Sequence, residues 1–192
     1  MTILLIGGSP SATSKTARWL ENIRVRLEQE GARTESLQVR DLPAAALLLA
    51  DFQHPEILAA LQRVEQATAI VIATPVYKAA YSGLLKTFID LWPQFGLTGK
   101  VVLPLASGGS TAHTLILDYA LRPVLSSLAP KQIFDSIYAV EQQINWSKES
   151  GLTLDPSIEQ RTQQGVNDLL EAVRSAPPFF HRPHQAQHAL SA

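Results

Sequence analysis

Residues 7–16 read GGSPSATSKT, so the eight positions from Ser9 to Thr16 carry five hydroxyl side chains and one lysine. The stretch follows a short apolar run and opens a helical pattern. A helix N-terminus offers unpaired N–H groups and the positive end of its dipole, and hydroxyls beside it suit a phosphate. Two well-known phosphate loops do not fit. The Walker pattern places Gly directly before its Lys, whereas Ser14 precedes Lys15, and nothing after Gly8 supplies the spaced glycines of the dinucleotide fingerprint. A hydroxyl-rich loop with neither signature suits a terminal monophosphate, or else is a Ser/Thr-rich helix cap with no ligand.

Two further loops carry chemistry. Residues 74–83 (TPVYKAAYSG) leave the most apolar run of the chain. Pro75 stiffens the exit, and backbone groups exposed there can meet a planar heterocycle such as a flavin, whose ring needs an apolar slot with non-titrating donors. Tyr77 and Tyr81 fit either that slot or ordinary packing. Residues 107–113 (SGGSTAH) bring paired glycines, which let the backbone approach a ligand closely. His113 is placed to meet a flavin or a nicotinamide, or to cap its own loop; it is given no proton-transfer role. No nucleophile–base–orienter set marks a catalytic residue, and no spacing marks a metal site. Hydride transfer needs neither, since there the cofactor supplies the chemistry.

These loops must be positioned by a scaffold. Apolar runs at 3–6, 35–39, 69–73, 101–106 and 132–140 are bounded by Gly, Pro, Ser or Thr, as buried strands are. Between them Ala17, Leu20, Ile23 and Leu27, and then Ile57, Leu61 and Val64, repeat at helical spacing. A last helix starts at Asp155 with Pro156 in its first position. Strands alternating with helices predict an α/β fold: a flavodoxin-like three-layer sandwich with a five-stranded parallel sheet and helices on both faces. Ligands then bind at the carboxyl ends of the strands, where all three loops lie. One domain is expected over 1–176. Residues 177–192, with Pro-Pro, His181, His184 and His188, are expected to be a flexible tail and not a metal site.

Composition narrows the class. A formal charge of −1 creates no field for nucleic acid or acidic lipid, and zero cysteines exclude disulfides and thiolate chemistry. The start is too short and lacks the basic residues of a signal peptide, and no apolar stretch reaches the roughly 20 residues of a membrane span, so a cytoplasmic location is expected. The segments 84–95 and 115–128 are apolar around most of a helix, where a monomer's surface helix needs one stripe. A homo-oligomer, dimer or tetramer, is expected, with ligand sites near its interfaces. Pro123 has no N–H for the carbonyl of Tyr119, so a kink or π-type bulge is expected there, with Tyr119 at an interface beside a ligand site.

Gly8, Ser9, Pro10 and Ser14, then Thr74 to Tyr77, then Ser82, Gly83 and Lys86, resemble the NADPH-dependent FMN reductase family over roughly residues 3–140. The runs 74–83, 99–106 (GKVVLPLA) and 118–125 (DYALRPVL) resemble its branch serving sulfonate utilisation. The resemblance implies that Ser9, Ser14, Lys15 and Thr16 hold the FMN phosphate. It implies that Pro75, Val76 and Tyr77, with Ser107, Gly108 and Gly109, line the ribityl chain and ring, and it leaves Lys78, His113 and Tyr119 at the substrate side or interface. Many members carry Arg in the first loop where this chain has Lys15, which cannot make the same bidentate contact. The implied activity is hydride transfer from NADPH or NADH to FMN, with reduced FMN released to a partner monooxygenase. The alternatives are an FMN-retaining quinone, azo-dye or metal-ion reductase, and a flavodoxin-like electron carrier.

Overall fold

The apolar runs become strands of one sheet in the computed structural model, which describes residues 1–175. The tail expected at 177–192, with its three histidines, lies outside the described residues. In chain order the elements are β1 (Thr2–Gly7), α1 (Lys15–Gln29), β2 (Arg33–Gln38), α2 (Ala44–Leu48), α3 (Pro55–Gln66), β3 (Ala69–Tyr77), β4 (Ala80–Tyr81), α4 (Gly83–Ile89) and β5 (Val101–Gly108). There follow α5 (Arg122–Ser127), β6 (Gln132–Ile133), β7 (Ile137–Val140), β8 (Ile144–Ser147), β9 (Gly151–Leu154) and α6 (Pro156–Arg174).

The main sheet runs β2-β1-β3-β5-β6, with β7 also on β5, and these pairings are all parallel. This is the flavodoxin-like order. Successive strand residues point to opposite faces, and both faces are covered. Leu4, Ile6, Ile70 and Ile72 pack towards α3, α4 and α5, with Phe88, Trp92 and Leu125. Ile3, Leu5, Val71 and Leu103 pack on α1 and α6, with Trp19, Ile23 and Leu169. Strands buried on both sides read as continuous apolar runs, which is why they were legible in the sequence.

The sheet has seven strands, not the expected five. One extra is β4, a two-residue return that pairs antiparallel with the end of β3. The other comes from a break in the fifth strand. Arg122 donates to the carbonyls of Ile133 at 3.3 Å and Phe134 at 2.9 Å, so the backbone there bonds a guanidinium. The ladder on β5 resumes at Ile137. A separate β8–β9 hairpin packs beside α1.

Pro123 has the expected effect. Leu117–Leu121 forms a π-helical turn directly before α5, and the Arg122 N–H bonds the carbonyl of Leu117, five residues back. Of the two segments expected to be apolar all round, 84–95 is mostly buried within the chain, with Phe95 as its exposed large apolar residue. The second keeps Leu115 and Tyr119 exposed. Among the described residues no helix is long and apolar enough to cross a membrane.

Candidate functional site

The loop after β1 is folded on its own hydroxyls. Ser14 caps α1, accepting from the Ala17 N–H at 3.1 Å, and donates to Ser9 Oγ at 2.8 Å. Ser9 accepts from the Ser11 N–H at 3.2 Å, leaving residues 10–13 as an exposed crest above buried Ser9. Lys15 and Thr16 lie in the first helical turn, whose N–H groups have no intrahelical acceptor. Thr16 itself is buried, and its hydroxyl meets Ser107 Oγ at 2.5 Å. Lys15 extends sideways instead, donating its ammonium to the carbonyl of Glu141.

The loop after β3 is tied to the first. Ser82 donates to the carbonyl of Gly8 at 2.6 Å while capping α4, and Thr74 Oγ1 accepts from the Ser82 N–H at 3.0 Å. A Cβ on Gly8 would stand 2.8 Å from Leu85 Cβ, so only glycine permits this approach. Pro75 is buried, Val76 half-buried, and Tyr77 is exposed at the rim. Lys78 and Ala79 both adopt positive φ, at 49° and 58°, and alone join β3 to β4, the geometry of a tight hairpin turn. Tyr119, from the π-helical turn, donates to the Ala79 carbonyl at 3.0 Å.

The loop after β5 completes the shelf. Ser107 is buried against Thr16. A Cβ on Gly108 would stand 2.6 Å from Tyr138 Oη and 3.2 Å from Val76, whereas one on Gly109 would meet nothing within 4 Å. Tyr138 donates to the Ser110 carbonyl at 2.5 Å, and burial pushes its phenol above the ordinary range, keeping it a neutral donor. Ser110, not His113, caps the short turn Thr111–His113, and His113 sits half-buried within it.

All three expected loops therefore meet at the carboxyl ends of adjacent strands, and hydroxyl-to-backbone and hydroxyl-to-hydroxyl bonds hold them together. Sequence reasoning missed Arg40. Its guanidinium lies 3.5 Å from the Ser9 carbonyl and 2.8 Å from Gln38 Oε1, beside the loop whose missing arginine had been noted. Its signal was positional: β2 neighbours β1, so residues just past β2 stand next to the first loop. Among the described residues no three acidic or histidine side chains gather as a metal site.

The donor set fits FMN: amides and hydroxyls at a helix N-terminus for a phosphate, and an open glycine with an apolar wall beyond it for a planar ring. Comparison with known proteins agrees. The profile of the family described as NADPH-dependent FMN reductase matches residues 1–145. The chain is similar to an FMN reductase (NADPH) of Pseudomonas putida, 41% identical across 95% of this chain and 91% of the relative. A relative named NADH-dependent FMN reductase SfnF, also of Pseudomonas putida, is 31% identical over 73% of this chain and 80% of its own length. Among solved structures, an apo NADH:FMN oxidoreductase (EMOB) superposes with a TM-score of 0.83 at 34% identity, covering 96% of each chain. An archaeal flavodoxin, at TM-score 0.60 and 12% identity over 91% of this chain and 99% of its own, shares the fold. The chain belongs to the NADPH-dependent FMN reductase family and is an NAD(P)H-dependent oxidoreductase of FMN.

Proposed function

We propose that the chain reduces free FMN with NADPH or NADH and passes the reduced flavin to a separate monooxygenase that cleaves sulfonates. When bound, FMN supplies an acceptor at its N5 for the nicotinamide hydride. The chain's part is to bind and orient. The first-turn amides of α1, with Ser9, Ser14 and Thr16, hold the phosphate, while Lys15 and Arg40 contribute positive charge nearby. Pro75, Val76 and Tyr77 form one wall for the ribityl chain and ring, and Ser107, Gly108 and Gly109 the other. Backbone donors of these loops stabilise negative charge gained on reduction without titrating. Lys78 and His113 stand at the rim, where the nicotinamide enters. Tyr119 steadies the Lys78–Ala79 turn and, with exposed Leu115 and Tyr77, faces a second copy of the chain. That assembly is a dimer or tetramer located in the cytoplasm.

The observation that carries this reading is the Thr16–Ser107 bond, which welds the phosphate loop to the ring loop at one edge of the shelf. The sulfonate step rests on the runs 74–83, 99–106 and 118–125. The test is NADPH consumption by purified protein as free FMN is titrated in. A rate that saturates with added FMN supports turnover of free flavin. A rate set by an added quinone and indifferent to free FMN identifies a flavin-retaining reductase instead. Failure of NADPH to reduce bound FMN in rapid mixing identifies an electron carrier.

A further inference from the structure

Beside the phosphate loop, on the flank away from Arg40, a groove of about 410 Å³ opens between the start of α1 and the β8–β9 hairpin. Thr13, Lys15 and Arg18 line its helix side, and Trp146, Ser147 and Ser150 its hairpin side. The Arg18 guanidinium carbon stands over the Trp146 ring, 3.5 Å from its centroid, and Arg18 donates through Nε to the Thr13 carbonyl at 3.1 Å. Lys15 leans in from the same helix to the Glu141 carbonyl. Neither cation forms an ion pair among the described residues, although eight other arginine and lysine side chains do. Trp146 stays 43% exposed with Arg18 on one face, leaving ring area open to a second planar group. Two uncompensated cations, an aromatic plane and several hydroxyls in one groove match a phosphate carried on a heterocyclic base.

We infer that this groove is an adenylate subsite: Arg18, with Lys15, receives a phosphate, and Trp146 receives the adenine. The inference rests on the FMN reductase reading for its biological source, and two sources share the chemistry. One is the AMP half of FAD, whose second phosphate emerges from the first; Thr13 and Lys15 belong to the phosphate loop and to the groove alike. The other is the adenosine 2′-phosphate of NADPH. The bland alternative is that Arg18 and Trp146 merely anchor the hairpin to α1.

The test uses the full chain with 5′-AMP and 2′,5′-ADP as probes, titrated by calorimetry, so that binding is read apart from turnover. Arg18→Gln and Trp146→Ala are each expected to weaken probe binding about tenfold, the loss of one charge-assisted or stacking contact. Ser150→Glu, which adds a carboxylate at the exposed rim without removing packing, is expected to do the same. The source follows from kinetics: a raised KM for FAD with FMN unchanged points to FAD, and a raised KM for NADPH with NADH unchanged points to NADPH. No probe binding by the wild-type chain, or equal binding by wild type and Ser150→Glu, would overturn the subsite. Probe binding with no NADPH-driven FMN reduction would sink the reductase reading and leave the subsite standing.

Discussion

Thr16 and Ser107 show how much one pair of hydroxyls can carry. They are distant in sequence, both are buried, and their hydroxyls bond each other. Thr16→Val keeps the shape and leaves Ser107 Oγ buried without its partner, a cost of about 1–3 kcal/mol. Thermal melts should show a lowered Tm, and FMN titrations a weaker Kd, because the two loops lose their weld. The double variant Thr16→Val with Ser107→Ala should recover much of the stability but not the FMN affinity, since replacing both partners removes the unpaired group. Sequence marked both residues as candidates without showing that they touch. Lys15 was legible as a cation in the loop, but its direction depends on Glu141, and Arg40 could not be placed until β2 was known to lie against β1.

At the scale of elements, the π-helical turn at Leu117–Leu121 was legible because one residue, Pro123, removes a specific donor. What it positions was not. Tyr119 reaches the Ala79 carbonyl, and Asp118 pairs with Arg122, whose other donors hold the break in the fifth strand. Tyr119→Phe deletes one hydrogen bond to the Lys78–Ala79 turn and, if that turn borders the proposed flavin site, is expected to raise the KM for FMN about fivefold, while far-ultraviolet dichroism stays unchanged. Tyr119→Ala also removes the exposed ring and is expected to shift the oligomer in sedimentation. The start of α6 at Asp155 and Pro156 was read correctly, because Pro at the first helical position is a local rule. The split of the last sheet position was not legible: the run 132–140 is apolar enough to be one strand, and the guanidinium that interrupts it comes from another helix.

For the whole molecule, two helices on one face of the sheet must stay docked for the loop after β1 to keep its place. Arg26 of α1 grips Glu159 of α6 with both nitrogens, at 2.6 and 2.8 Å, and Trp19 donates to buried Thr162 at 3.1 Å. The Arg26 guanidinium holds the Glu159 carboxyl below its ordinary value of 4.5. A carboxyl depressed in the folded state stabilises fully above its unfolded pKa and loses that contribution as pH falls through the lower folded value. Glu159→Gln should therefore melt earlier than wild type at pH 7, by under about 1 kcal/mol because the pair is partly solvated, and the gap should close as pH falls below the ordinary carboxylate range. The alternation of strand and helix made the layered fold legible, whereas the β8–β9 hairpin, short and mostly polar, left no periodic signal. Because Lys78 and Ala79 alone connect β3 to β4, one inserted residue would throw Tyr81 out of register with Val76 and turn the neighbouring side chains to the wrong face. Descendants of this chain can vary that loop by exchanging residues but not by lengthening it. The exposed bend between β8 and β9 is where growth in length would be tolerated, and with it a change in the shape of the proposed adenylate groove.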